Sequence, residues 1–411
     1  MNLSVLHCHN FHRIVGGADV TYFRTTALLE RAGHRVVPFA TAHPDNVPTP
    51  WSSHFVSEAD FRGLGVGHPV KTAGHALRMV YSFEARRKLR RLLACFSPDI
   101  AHLHNIYHEM SPSILHELSA HGIPSVLTAH DLKLVCPNYR MYVNEHVCDD
   151  CLGGRYISAV SKKCVGGSVI ASALCAIEGY IHRLLGMYDR HLAAIICPSQ
   201  FVRDQLLKGG YKTRLIYVPT PVRPLESVSP PGSSDYVLYY GVLLPHKGLT
   251  TLLDAAKLVP DIPIKIAGRG AMEPELRRMI DESSLEDVSL IGFRTPQELL
   301  ELLGHCRFSV TPSVWPENSP LSVLESFASG RAVIGSDIGG IPELIEDGVH
   351  GYVVPPGNAE ALAERMRALW NDRLTALEMG RNAHEMVKQK HSEEVYLKSL
   401  LELYRSVIRT S

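Results

Sequence analysis

At 411 residues the chain exceeds the roughly 250–300 residues at which a single hydrophobic core stops growing, so two domains are expected. Lys plus Arg equals Asp plus Glu at 42 each, which leaves no global field to draw nucleic acid, and none is expected as a partner. The sequence has no run of 18 apolar residues and no charged leader followed by an apolar stretch, and its nine cysteines are an odd number spread over a long chain. These features point to a reducing compartment and a cytoplasmic protein, without a spanning helix or a disulfide framework.

Short β-branched or apolar runs alternate with helical patterns from the start: Leu3 to Cys8, Arg35 to Phe39, Asp99 to Leu103, Ser125 to Thr128, Ala193 to Cys197 and Leu215 to Val218. This alternation predicts an α/β fold with a parallel sheet covered by helices. The first strand runs into His7-Cys8-His9-Asn10, and a loop then reaches Gly16 and Gly17 before a helix near Asp19. Glycines there let a ligand approach the backbone, although the dinucleotide spacing GxGxxG is absent. His7, Cys8, His9 and His12 are metal-ligand types, but neighbours on a strand point to opposite faces, so they read as histidines lining a cleft.

Residues 81–95, YSFEARRKLRRLLAC, place Arg86, Arg87, Lys88, Arg90 and Arg91 around an apolar stripe. The pattern is that of a surface helix with a solvated face; its sharper reading is peripheral contact with the anionic inner face of a membrane. AHLHN with His104, and TAHD with His130 and Asp131, follow at predicted strand ends, where ligands bind in open parallel sheets. Cys136, Cys148, Cys151 and Cys164 then cluster in a segment of about residues 136–168 with weak strand signals. With one C-x2-C pair they are candidate ligands of a structural zinc, against the alternatives of free thiols or a labile disulfide.

Residues 219–235, rich in Pro and Ser, read as a linker between a first domain of 1–218 and a second of 236–391, with 392–411 as a closing amphipathic helix. The second domain repeats the alternation: Val237 to Tyr240, Ile262 to Ala267, Val288 to Ile291, Arg307 to Thr311, Ala332 to Ile334 and Tyr352 to Val354. Its first strand ends in GVLLPHKGL, which brings Lys247 and a helix N-terminus together as a phosphate site would, although it is not a P-loop. In residues 311–358, Glu317 and Glu325 are separated by seven residues, which puts one at a loop mouth and the other about two turns into the next helix. Gly339-Gly340 and Glu343 follow the next strand.

The ordered set GVLLPHKGL, AGRG, GF, PS, E-x7-E and GGIPE, preceded by the GG loop, PDIAHLHN, TAHD and CPSQFVRDQL, resembles the retaining glycosyltransferases of family 4 over nearly the whole chain. The resemblance implies a GT-B fold of two facing Rossmann-like, doubly wound domains, with the last helix crossing back to the first. It implies a nucleoside-diphosphate-sugar donor on the second domain and a glycan or lipid-linked acceptor on the first, as in cell-surface polysaccharide or glycoconjugate synthesis, with no catalytic metal. Glu317, His130 and Lys247 match the family residues at the donor sugar and diphosphate. Glu325 matches the ribose ligand, and Gly16, Gly17, Gly292, Phe293, Asn318, Ser319, Pro320 and Leu321 match the surrounding donor-binding backbone.

The family's arginine just after the glycine of GVLLPHKGL is Val242 here, so either His246 or an arginine from elsewhere completes the cationic clamp, or the diphosphate is held more weakly, or the donor has altered phosphates. An epimerase or hydrolase on the same fold, and a sugar-nucleotide binding protein without turnover, are the alternative readings. A double displacement through Glu317 as nucleophile is a further one.

Overall fold

The inner β-branched runs become strands buried on both faces, as a sheet sandwiched by helices requires, whereas Arg35–Phe39, Leu215–Tyr217 and Val288–Gly292 at sheet edges are partly exposed. The computed structural model describes residues 2–58, 69–225 and 236–410. They fall into two units, one of Met1–Val143, Val147–Pro219 and Tyr396–Ser411, the other of Asn144–His146 and Thr220–Val395. Most of the proline-rich segment, residues 226–235, lies outside the described residues.

The first unit holds a six-stranded parallel sheet of β1 (Ser4–Cys8), β2 (Arg35–Phe39), β3 (Ile100–Leu103), β4 (Ser125–Thr128), β5 (Ala194–Cys197) and β6 (Leu215–Tyr217), in the order β6-β5-β4-β3-β1-β2. Side-chain alternation divides the strands between two cores. Leu6, Phe39, Leu103, Leu127 and Ile195 face one, with Leu89 and Leu92 of α2 (Phe83–Leu93). Val5, Ile100, Val126 and Ile196 face the other.

The second core is completed by the end of the chain, where Tyr396, Leu400, Leu403, Tyr404 and Val407 of the last helix pack against it. Leu400 and Tyr404 are wholly buried, each worth roughly 2 kcal/mol of transfer from water. The Tyr396 hydroxyl lies 2.8 Å from Thr25 Oγ1 of α1 (Gly17–Arg31), and the Tyr404 hydroxyl 2.6 Å from His102 Nδ1.

The second unit repeats the plan with β7 (Val237–Tyr240), β8 (Ile264–Ala267), β9 (Val288–Gly292), β10 (Phe308–Thr311), β11 (Val333–Ser336) and β12 (Gly351–Val354), in the order β9-β8-β7-β10-β11-β12. Val237, Ile264, Ile266, Phe308, Val310 and Ile334 form its main core. In each sheet the strand order reverses once, between β1 and β3 and between β7 and β10. At such a switch point the two connections leave in opposite directions and open a crevice beyond the carboxyl ends of the strands.

Candidate active site

The switch point of the second sheet brings two loops into contact. Beyond β7, a single 3-10 turn, Pro245–Lys247, ends at Gly248 in the left-handed region (φ 72°), and α4 (Leu249–Leu258) begins there. A Cβ on Gly248 would lie 1.8 Å from the Pro312 carbonyl oxygen, so only glycine lets this turn approach the loop after β10. The Val314 amide donates to the His246 carbonyl at 3.0 Å, and the His246 ring packs edge-on against Trp315.

Lys247 Nζ donates to Glu317 Oε1 at 2.5 Å, and the same oxygen accepts from Ser313 Oγ at 2.7 Å and Trp315 Nε1 at 2.9 Å. From the other side Gly340 N donates to the Glu317 carbonyl at 2.8 Å, and Gly339 (φ 62°) has no room for a Cβ against the Glu317 backbone. Burial by itself would raise the Glu317 carboxyl; Lys247, then Ser313 and Trp315, outweigh it and hold the group below its ordinary range. Glu317 is therefore an anion whose charge is balanced in place.

Three residues later Pro320 is the N-cap of α5 (Leu321–Ala328), and its own side chain offers the first amides no hydrogen bond. Unpaired amides and the dipole at such an end favour an anion. Asn318, Ser319, Pro320 and Leu321 form this entry, and the Ser319 hydroxyl is buried without a hydrogen-bond partner. Because the helix starts at Leu321, Glu325 stands little more than one turn in, not two. The α5 N-terminus is held to the sheet through the Tyr240 hydroxyl, which donates to the Ser322 carbonyl at 2.5 Å and lies 3.1 Å from Ser326 Oγ.

Gly292 ends β9 at φ 75° with open space where a Cβ would stand, and Phe293 beside it is exposed beneath the Arg269 guanidinium, 4.5 Å from its ring centroid. Arg269 belongs to the AGRG turn after β8, and its carbonyl accepts from Leu243 N at 3.1 Å, one residue beyond Val242. Val242 itself is about half exposed. Sequence reasoning did not single out Ser313 or Trp315. Their signal was the alternate spacing Ser313, Trp315, Glu317 in an extended loop, which turns three side chains to one side.

In the first unit the β1–β3 switch point gathers histidines. Thr26 Oγ1 donates to the Tyr22 carbonyl at 3.1 Å and lies 2.8 Å from His7 Nδ1; His7 Nε2 lies 2.7 Å from His104 Nε2, and His104 Nδ1 lies 2.6 Å from His130 Nε2. Each neutral ring donates at one nitrogen and accepts at the other, so the tautomers of His7, His104 and His130 are set together along this chain.

Burial, reinforced by neighbouring imidazoles, pushes His130 down to about 3 and holds His7 and His104 well below the ordinary value. His7, His102 and His104 offer nitrogens within 4.8 Å of one another. The 2.7 Å between His7 and His104 is nevertheless a hydrogen-bond distance, shorter than the roughly 3.3 Å between two imidazole nitrogens on one tetrahedral ion.

Gly16, extended at φ −159°, precedes α1, and its amide and that of Val15 donate to Asp19 Oδ2 at 2.6 and 2.7 Å. These two donors are thus engaged within the loop. The basic helix is also more committed than its pattern suggested. Arg86 and Arg90 both bind Glu117 of α3 (Ser113–Ala120), at 2.7 and 2.6 Å, and Lys88 donates to the Ser53 carbonyl, so Arg87 and Arg91 are the outward cations. Among the described residues no helix is long and apolar enough to cross a membrane. Cys136, Cys148, Cys151 and Cys164 border one small cavity.

Residues 226–386 match the family model of the group 1 glycosyl transferases, and residues 15–224 that of Glycosyltransferase Family 4. The O-antigen chain mannosyltransferase C of Escherichia coli is 27% identical over 252 residues, which cover 56% of this chain and 66% of that protein. Alignments to three curated relatives span 54%, 66% and 56% of their lengths.

Among solved structures, a sucrose-phosphate synthase from Thermosynechococcus elongatus superposes with a TM-score of 0.74 at 18% identity over 100% of both chains. Anabaena Alr3699/HepE, solved in complex with UDP and glucose, superposes with a TM-score of 0.70 at 16% identity, covering 98% of this chain and all of that one. These likenesses establish the GT-B type of fold. With one family model spanning half of its length and a second matching most of the remainder, the chain belongs to glycosyltransferase family 4.

Proposed function

We propose that the chain transfers a sugar, with retention of anomeric configuration, from a nucleoside diphosphate to a glycan or lipid-linked acceptor in the synthesis of a polysaccharide. The observation that carries the reading is the Lys247–Glu317 pair at the β7/β10 switch point, beside the N-terminus of α5, whose N-cap is Pro320. A departing diphosphate gains negative charge as the glycosidic bond breaks. A lysine and helix amides aimed at it therefore bind the transition state more strongly than the ground state.

Glu325 takes the ribose hydroxyls, and the turn at Gly292 and Phe293 reads the base. Glu317 holds the sugar. Three donors on Oε1 lower that oxygen's basicity, which favours a positioning role over nucleophilic attack. The acceptor hydroxyl then attacks from the face of the leaving group, and the leaving phosphate takes its proton. His130 stands beside the sugar, and the Gly16-Gly17 loop supplies backbone without side-chain bulk. Arg269 provides the cation missing at Val242, since the alternative, His246, is buried against Trp315.

The second unit is the donor side and the first the acceptor side, with residues 219–235 as their linker. Contact with an anionic membrane, if made by α2, falls to Arg87 and Arg91 beside the exposed Phe83. HepE's complex with UDP and glucose makes a uridine donor the first to try. Thermal-shift screening against UDP-, GDP- and ADP-sugars tests the donor, because a ligand bound only by the folded state raises apparent stability. Nucleotide release accelerated by acceptor supports transfer; epimer formation or binding without turnover would replace the proposal with one of its alternatives.

A further inference from the structure

Four cysteines from three loops meet in the first unit, away from both switch points in sequence. Cys136 follows β4, Cys148 and Cys151 form the C-x2-C pair, and Cys164 follows a short helix, Ile157–Ser161. All four line one cavity of about 10 Å³, together with Val135, Met141 and Leu152. A cavity of that size holds about one small particle, which excludes an iron–sulfur cube.

One of the four sulfurs stands beside a cation: the Lys162 ammonium lies 3.3 Å from Cys148 Sγ while also pairing with Asp150 at 2.6 Å. Cys136 Sγ donates to Asn138 Oδ1 at 2.9 Å, and the same oxygen accepts from the Arg140 amide at 3.0 Å, which fixes the turn that presents Cys136.

Part of the segment joins the main core of the unit, through Cys136 and Met141 with Leu152 against them. The rest has a small cluster of Cys151, Tyr156 and Ala159 with Ala176 of the following helix, too little to hold it by burial alone. Tyr139, Met141 and Lys163 sit at positive φ, a conformation that costs roughly 1–2 kcal/mol for a side-chain-bearing residue and persists only where something else over-determines it.

We propose that Cys136, Cys148, Cys151 and Cys164 bind one zinc ion as a tetrathiolate that folds this insertion. Zn²⁺ enters, four S–H bonds release four protons, and the resulting dianionic centre is balanced in part by Lys162. Zn–S bonds of about 2.3 Å put the sulfurs roughly 3.8 Å apart. Among the described residues the sets already within 4.8 Å are His7–His102–His104 and His108–Cys175–Glu178. The four thiols thus stand wider than in the bound state, and since all lie in loops or at a helix edge, metal entry draws them together.

The test is metal analysis of the full chain after passage over a chelating resin, with Cys164→Ser and Cys148→Ser as variants and Cys95→Ser, an exposed cysteine elsewhere, as the control. The expected result is one zinc per chain in the wild type and in Cys95→Ser, and its loss in the other two. Should those variants fail to fold, cobalt exchanged into the wild type decides: tetrahedral tetrathiolate cobalt absorbs intensely in the visible with sulfur charge-transfer bands in the near ultraviolet. Folded wild-type chain free of zinc, iron in its place, retention of zinc by a Cys148→Ser/Cys164→Ser double variant, or cobalt without those bands would overturn the proposal.

Discussion

Lys247 Nζ and Glu317 Oε1 stand 2.5 Å apart, which joins the loop after β7 to the loop after β10 at the point where the sheet order reverses. If the lysine acts on a leaving diphosphate, its removal takes away an interaction that strengthens as the bond breaks. Lys247→Ala is expected to lower kcat by about 10²–10³-fold while donor affinity changes much less. Steady-state kinetics beside calorimetric donor binding measures the split. A weakened Kd with unchanged kcat would remove the lysine from the chemistry.

Glu325 and Glu317 are expected to fail differently. Glu325→Ala should weaken nucleotide-sugar binding by roughly 10–150-fold, the worth of hydrogen bonds to a charged acceptor. Glu317→Gln should bind donor nearly as well and turn over about 10²-fold more slowly. Equal donor affinity in Glu325→Ala and wild type would refute the ribose assignment.

The buried histidines give a pH dependence whose sign follows from their direction of shift. Burial pushes His102 and His130 from the ordinary 6.5 to about 3, and His7 and His104 are lowered too. Below 6.5 the unfolded chain takes up protons that the folded chain does not. The stabilising contribution is therefore complete above 6.5 and is lost progressively as pH falls toward about 3. Glu117, held down to about 2 chiefly by its Arg90 hydrogen bond, loses its contribution only below its ordinary value of 4.5. Urea unfolding across this range should show midpoints falling from just under pH 6.5. A midpoint that holds constant down to pH 4.5 would mean that these histidines are not neutral and buried in solution.

Two glycines at left-handed φ distinguish strain from collision. Gly292→Ala meets open space and should cost about 1 kcal/mol, the penalty of the conformation itself. Gly248→Ala places a Cβ 1.8 Å from the Pro312 carbonyl, so it should cost upwards of about 2 kcal/mol and displace Lys247 as well. Equal costs, read by chemical denaturation, would show that the two loops are not held in contact.

The strands, their parallel arrangement and the doubling of the fold were legible in the sequence, because a strand buried on both faces leaves a continuous β-branched run that does not depend on its neighbours. Lys247, Glu317 and Glu325 were legible as an ordered set. The start of α5 was not, and it shortened the predicted distance of Glu325 into its helix from two turns to about one. What only the tertiary structure decided was which partner each polar group takes. Arg86 and Arg90 read as part of a solvated cationic face until Glu117, on another helix, paired with both. His130 was one histidine among several until His7 and His104, drawn from β1 and the end of β3, joined it in one hydrogen-bonded chain. Helical and strand periodicity are local, whereas hydrogen bonds and ion pairs join residues 26 to 97 positions apart, a separation at which sequence spacing carries no geometric information.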